Sequence, residues 1–260
     1  MQDQGRDLLL PAAMKPARPE KFRILVVGDV NSGCQAAKRE VVRPQRAPRR
    51  IEDASQFGGA ANIARMAAGL GAMVGFLLLS QGDTVTRACQ IAHFHVLLPQ
   101  YHVVVFSEYR HCAPMDLDDM VASARSMGKR VLVDLDGSEF GLFTGASLLA
   151  SDVGTLRRLI GTWRSEGELT NKMARLLSGA QCEGFLVNRH EAGISLYLSG
   201  GPVHFANMIR CDRYYLLAVI AANLKADVSI PLGVSEASNR FDPMAVGSEL
   251  DIPRQEMMLS

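Results

Sequence analysis

The amino-acid sequence predicts an α/β protein, a three-layer α/β/α sandwich with a mostly parallel central sheet. Three observations predict it. Short β-branched runs alternate with helical stripes along most of the chain, as in a parallel sheet covered on both faces. The runs are apolar throughout, the mark of strands with two buried faces. Three of them end in or beside Asp, Asn or Ser, at the carboxyl end where open α/β sheets place ligands.

Residues 1–21 hold the apolar run Leu8-Leu9-Leu10, but Asp3 and Asp7 precede it and it is short, so a loose tail is expected rather than a signal peptide. The run from Arg23 to Gly28 reads as a buried strand with Asp29 at its carboxyl end. Residues 31–57 are polar and proline-punctuated, an expected loop or short hairpin. Within them the basic stretch Arg43–Arg50 reads as a solvated connection. A small-residue helix is expected over about 60–70, then a strand over Met73–Leu79. Asp83 is positioned as N-cap of a helix carrying Val85, Ala88, Cys89, Ile91 and Ala92. His102–Ser107 is a strand and Asp116–Gly128 a helix. Arg130–Asp134 is a strand ending in a carboxylate. Ala146–Ala150 is a short strand, and Asp152 opens the helix after it. Glu166–Ser178 is a helix. Gly184–Asn188 and Ile194–Leu198 are strands joined by a turn through Gly193. The last strong helix spans 212–226. Prolines at 231, 243 and 253 predict an irregular tail over 231–260, so the domain is expected over 22–230.

With 260 residues, 48% hydrophobic and 21% charged, the composition is that of a globular protein. A net charge of +1 points to neither nucleic acid nor a membrane surface as partner. No run is long enough to span a membrane. Five scattered cysteines without CxxC spacing predict reduced thiols and a cytoplasmic protein. Cys89 and His93 lie one helical turn apart, but no second pair completes a set of ligands, so no metal site is expected. The spacing around Gly28 and Gly33 lacks the dinucleotide fingerprint.

The stretch from Gly58 to Ala72 is the richest in chemistry. Gly58 and Gly59 let the backbone enter with unusual dihedrals and expose its amides. The alanine-rich run after them favours helix, and Gly69 and Gly71 end it. The first turn of such a helix offers unpaired N–H groups to the oxygens of a sugar or phosphate, with Asn62 beside them. A close-packed helix with a glycine entry is the plain alternative.

In this order, Val27-Gly28-Asp29, Gly58-Gly59-Ala60-Ala61-Asn62 and Leu70-Gly71-Ala72 resemble the first signature of the ribokinase-like (PfkB) carbohydrate kinases. The pattern is most similar to the kinase domain of the bifunctional heptose-phosphate kinase/ADP-heptose synthase. Ser107-Glu108-Tyr109, Asp134 with Gly137, and Asn188-Arg189 with Gly193 extend the resemblance over roughly residues 22–226. It implies a sugar or sugar phosphate held by Asp29, Gly58, Gly59 and Asn62, and a nucleotide near Asn188 and Gly193. It also implies ATP and Mg2+ as cofactors of an active member. The family's catalytic Asp stands in a Gly-Ala-Gly-Asp motif at the start of a late helix.

The chain departs from that pattern where chemistry is concentrated. The motif reads Cys211-Asp212-Arg213-Tyr214, so Tyr214 takes the place of the base and Cys211 and Arg213 replace the anion-hole glycines. A tyrosine, with a reference pKa of about 10, is a poor base at neutral pH. Asp212 lies two residues early. It can serve as base only if the loop re-registers, and otherwise reads as a helix N-cap. The family's Asn-x-x-Glu is here Asp152-Val153-Gly154-Thr155, without the Glu. The second Asp expected after Asp29 is Gly33, and the Lys of the Asp-Pro-Lys segment is Asp136. Between Asp83 and Phe106 the lid strands are largely missing. The resulting expectation is a degenerate sugar-kinase-like protein without efficient phosphoryl transfer. It would retain sugar-phosphate or nucleotide binding, or act as a partner subunit or homodimer, with no cofactor. The alternative is an active ATP-dependent heptose phosphate kinase with Asp212 as base. A ligand-free remnant is the third reading.

Overall fold

In Arg23–Gly28 (β1) every residue after Arg23 is buried, so the strand needs neighbours on both edges and cover on both faces. It receives both. Met73–Leu78 (β2) and Val103–Ser107 (β3) pair with it in parallel. Arg130–Asp134 (β4), Leu148–Asp152 (β5) and Gly184–Asn188 (β6) continue the parallel ladder. Ile194–Leu198 (β7) and Gly201–Phe205 (β8) close it with antiparallel pairs. The eight-stranded order is β2-β1-β3-β4-β5-β6-β7-β8. The direction of winding reverses between β1 and β3, and a crevice opens at such a switch point outside the carboxyl ends. This computed structural model describes residues 22–28, 59–79, 83–107, 114–135, 140–206, 208, 211–224 and 229–240.

Alternate residues of the buried strands feed two cores. Leu25, Val27, Val104, Phe106, Val133 and Phe185 face one side. There they meet Thr84–Leu97 (α2), Pro114–Ser126 (α3), Val153–Ile160 (α4) and Glu166–Ala180 (α5). Ile24, Val26, Val103, Val105, Leu132 and Leu186 face the other side. Gly59–Gly69 (α1), Arg213–Asn223 (α6) and Ile230–Arg240 (α7) cover them. The α/β/α sandwich is therefore observed. Asp83, Asp152, Ser165 and Asp212 each cap a helix by accepting a hydrogen bond from a first-turn amide. From Asp83 to Val103 the chain holds only α2, a 3-10 turn at Leu98–Gln100 and a short connector. Among the described residues no strand lies outside the single sheet.

Two local expectations are corrected. The chain is not irregular from 231, because α7 runs to Arg240. Pro231 is its second residue, where proline's missing N–H costs nothing. Ile230, Val234 and Ala237 recur at helical spacing and are buried on the face carrying α6. The second correction is β8, which the sequence pattern did not reveal. Pro202 and His204 argue against a strand, yet β8 lies at the sheet edge, where proline is tolerated. The expectations for residues 1–21, the basic stretch 43–50 and the tail beyond 240 lie outside the described residues.

At the switch point the backbones leave no room for a side chain. A Cβ on Gly28 would overlap the Ser107 carbonyl oxygen and come within 2.7 Å of Ala60 Cβ. Gly28→Ala is therefore expected to destabilise the protein by about 2–3 kcal/mol, the upper range for overpacking. A urea unfolding curve reads this as a lower midpoint with unchanged slope.

Candidate functional site

The strands deliver their last residues to one place. Asp152 and Asn188 are register partners at the ends of β5 and β6. Asp134 ends β4 and Ser107 ends β3, and the Ser107 hydroxyl donates to Asp134 Oδ2 at 3.0 Å. Into this row points Arg213, the first residue of α6. Its Nε lies 3.1 Å from Asp134 Oδ1 and its Nη1 3.4 Å from Asp152 Oδ2. The guanidinium also stacks 5.0 Å over the Tyr214 ring and donates from Nη2 to the Tyr214 hydroxyl at 3.2 Å. Asp134 has no accessible surface, whereas Arg213 keeps a fifth of its side chain exposed.

Charges explain the arrangement. Burial works against the charge on Arg213, but Asp134 foremost, with Tyr214 and Asp152, outweighs it and holds the pKa above the ordinary guanidinium value. Burial also opposes ionisation of Asp152. The Thr155 amide, at 2.6 Å from its Oδ1, and Arg213 outweigh that and hold its carboxyl below the ordinary value. The neighbouring Cys211 thiol is pushed up to about 12 by burial and then by Asp212, so it is no thiolate nucleophile.

The expected site residues fare differently. Asp29 and Gly58 lie outside the described residues. Gly59 opens α1 and is buried. The Tyr214 ring covers it: a Cβ there would lie 2.5 Å from Cζ and 2.8 Å from the hydroxyl oxygen. Asn62 follows one turn later on α1, half-buried. Asn188 has both ends of its amide engaged, donating to the Cys211 carbonyl and accepting from the His190 amide, each at 2.9 Å. It ties β6 to the segment before α6. Gly193 turns the β6–β7 hairpin with φ 78°, and a Cβ there would meet the Phe205 and Ala206 backbone. It does not line the cavity containing Asn188. Asp212 is exposed and its carboxylate accepts from the Tyr214 amide at 2.8 Å, capping α6. Cys89 and His93 are exposed on α2, and the described residues hold no group of three metal-ligating side chains.

In front of α6 lies an open cavity of about 420 Å³. Three carboxylates, Asp152, Glu191 and Asp212, line it against Arg213 and His190. Sequence reasoning treated Arg213 only as a side chain on a former glycine. It missed that this side chain reaches two strand-end carboxylates. The available signal was a single basic residue opening the last strong helix of a sheet whose strands end in Asp134 and Asp152.

No family model matches the chain. Curated relatives named bifunctional protein HldE do. The one from Shewanella amazonensis is 30% identical over 248 residues, covering 74% of this chain and 52% of the relative. That from Chromohalobacter salexigens is 33% identical over 114 residues, covering 44% and 24%. The chain thus spans at most about half the length of these relatives. Among solved structures, Arabidopsis thaliana ribokinase complexed with ribose and ATP aligns with a TM-score of 0.60 at 12% identity, over 84% of this chain and 90% of that one. Escherichia coli phosphofructokinase-2 in complex with fructose-6-phosphate aligns with a TM-score of 0.56 at 11% identity, over 84% and 92%. The fold is ribokinase-like, and the chain is a homologue of HldE. Of the residues gathered here, Ser107, Asp134 and Asn188 are among those that carry the resemblance, whereas Asp152 and the start of α6 are among those that depart from it. Among the described residues, no helix is long and apolar enough to cross a membrane.

Two outcomes follow for single residues. Asp212→Ala removes the α6 cap and is expected to cost about 1 kcal/mol, while Asp212→Asn keeps the acceptor and costs little, read by urea midpoints. Asp152 has a lowered folded pKa, so its contribution to stability is present above its unfolded pKa, about 3.9, and is lost as pH falls through the lower folded value. Asp152→Asn is therefore expected to flatten the acid limb of the melting temperature below about pH 4.

Proposed function

We propose that this chain is a non-catalytic ribokinase-like protein, a sugar-kinase relative that works by binding rather than by phosphoryl transfer. The observation that carries this reading is the Arg213 guanidinium between Asp134 and Asp152, at the helix start where the resemblance places an anion hole. Phosphoryl transfer depends on positioning and on stabilising negative charge. Here the surroundings act the other way. A carboxylate 4 Å from a phosphate oxygen repels it by about 4 kcal/mol at an effective dielectric of 20. A helix N-terminus returns only about 0.3–1 kcal/mol. Three carboxylates line the cavity, and the charge of Arg213 is already committed to two strand-end carboxylates.

Neither candidate base among the described residues is set up to act. Tyr214 packs on Gly59, and Asp212 would have to leave its own helix cap to act. ATP and Mg2+ are accordingly not cofactors of this chain. The sugar side, at Asp29, Gly58, Gly59 and Asn62, is the part of the family pattern that the sequence retains, although Tyr214 narrows it. A sugar phosphate or a protein partner fits this reading, and scattered free cysteines fit a cytoplasmic setting.

The test is calorimetric titration of the purified, folded chain with MgATP, followed by a turnover assay with heptose phosphate and other sugar phosphates. Neither heat nor product is expected. Product that disappears in Asp212→Asn would overturn the proposal in favour of an active kinase, and product that survives that substitution would overturn it with another base.

A further inference from the structure

We propose that the outer edge of β2 is a homodimer interface. Two copies of this chain pair their β2 strands antiparallel about a two-fold axis at Phe76, which makes one sheet continuous through both. The inference does not depend on whether the chain transfers phosphoryl groups.

The backbone sets the register. β2 stands at the end of the sheet and pairs with β1 on one side. The Met73 amide donates to the Phe22 carbonyl and the Leu79 amide to the Gly28 carbonyl, each at 2.9 Å. The N–H and C=O of one strand residue point to the same edge, and successive residues alternate. Met73, Gly75 and Leu77 therefore direct their groups to β1. Val74, Phe76 and Leu78 direct theirs outward, where among the described residues no strand meets them. In an antiparallel pair, residues that exchange both bonds must face outward on both strands. A two-fold axis normal to the sheet satisfies this and keeps matching faces together. The register that engages all three outward residues puts Phe76 opposite its own copy and Val74 opposite Leu78.

The side chains fit the same register. Val74 and Phe76 are half-buried and pack against the core on the α1 face. Leu78, next on that face, is 45% exposed. Pairing sets Phe76 against Phe76 and Val74 against Leu78, apolar cross-strand pairs of the kind that stabilise a sheet. The strand is self-complementary, which favours a second copy over an unrelated strand.

Composition marks this edge as well. Exposed edges are ordinarily blunted by charge, proline or a bulge. Met73–Leu78 has no charged residue and no proline, and its ladder with β1 is unbroken. The opposite edge, β8, carries Pro202. Exposed apolar surface also gathers here. Among the described residues nine large hydrophobics are exposed, and five of them flank this edge: Leu70, Met73, Leu78, Val85 and Val96. The last two belong to α2, which packs on β2. An isologous pair uses each β2 edge once and closes, so this surface is covered without growth of a fibre.

The experiment is sedimentation equilibrium of the full chain over a series of concentrations, with Leu78→Lys beside the wild type. The wild type is expected to dimerise. Leu78→Lys should keep the fold by circular dichroism and weaken the dimer about tenfold or more, because it places a charge in both Val74–Leu78 pairs. Oxidative cross-linking reads the register. Phe76→Cys should give a covalent dimer, since paired residues on the axis have Cα atoms about 5.5 Å apart, within the span of a disulfide. Met73→Cys, well out of step with its copy, should not, and the wild type with its own cysteines sets the background. Should Phe76→Cys fail to fold, Val74→Cys combined with Leu78→Cys tests the same register. A dimer weakened by Leu78→Lys and cross-linked through Phe76→Cys supports the proposal. A wild type that is monomeric at every concentration overturns it, including one that takes up a different chain along this edge. A dimer that Leu78→Lys leaves unchanged, or one that cross-links as readily through Met73→Cys, overturns it as well, because the contact then lies elsewhere or in another register.

Discussion

The carboxyl-end crevice depends on one buried charge, the carboxylate of Asp134. It sits at zero exposure at the end of a central parallel strand, where no water reaches it. A charge in that position needs a partner at close range, because the cost of burying it alone is several kcal/mol. In a ligand-binding α/β protein the strand ends face a cavity and whatever fills it. In this chain α6 answers instead, with Arg213. The same guanidinium stacks over Tyr214, whose ring covers Gly59, while the buried face of α6 packs into the core beneath.

Arg213 occupies the start of α6. Helix N-termini hold anions because their amides are free and their dipoles point outward. At α6 the first side chains turn back over the strand ends, and the cap carboxylate of Asp212 already takes the Tyr214 amide. The cavity in front has about 420 Å³ and is lined by three carboxylates, Asp152, Glu191 and Asp212, against Arg213 and His190. The rest of the sandwich is intact, with eight strands and helices on both faces. The residues at the start of α6 and the residues that build the fold are therefore largely separate sets in this molecule. A handful of side chains line the cavity, and two cores, one on each face of the sheet, hold the sandwich.

The sheet was legible in the sequence because its strands are uniformly apolar, and uniform burial leaves an unambiguous mark on composition. The runs at Ile24–Val27, Val103–Phe106 and Val131–Val133 each became a buried parallel strand. Caps were legible for a similar reason: Asp83, Asp152 and Asp212 act through amides two or three residues away, within reach of local reasoning. What escaped was either exposed or long-range. β8 is an edge strand with little apolar content, so no periodicity announced it. α7 was hidden by Pro231, whose meaning depends on its being the second residue of a helix. The Arg213–Asp134 pair joins residues far apart in the chain, and nothing local distinguishes an arginine that reaches a strand end from one that reaches solvent.

The division of the two cores has a consequence for how the chain is made. The helices over one face, α2 to α5, are interleaved with the strands they cover, so that face is closed as synthesis proceeds. The opposite face relies on α1 at one side and then waits for α6 and α7, which come last. Until Arg213–Arg240 has left the ribosome, Val103, Val105, Leu132, Leu148 and Leu186 lack their cover. A nascent chain stalled there presents a broad apolar sheet face to its surroundings, the kind of surface chaperones hold and aggregates grow from. Truncation before α6 thus uncovers this face of the sheet, although it removes no strand.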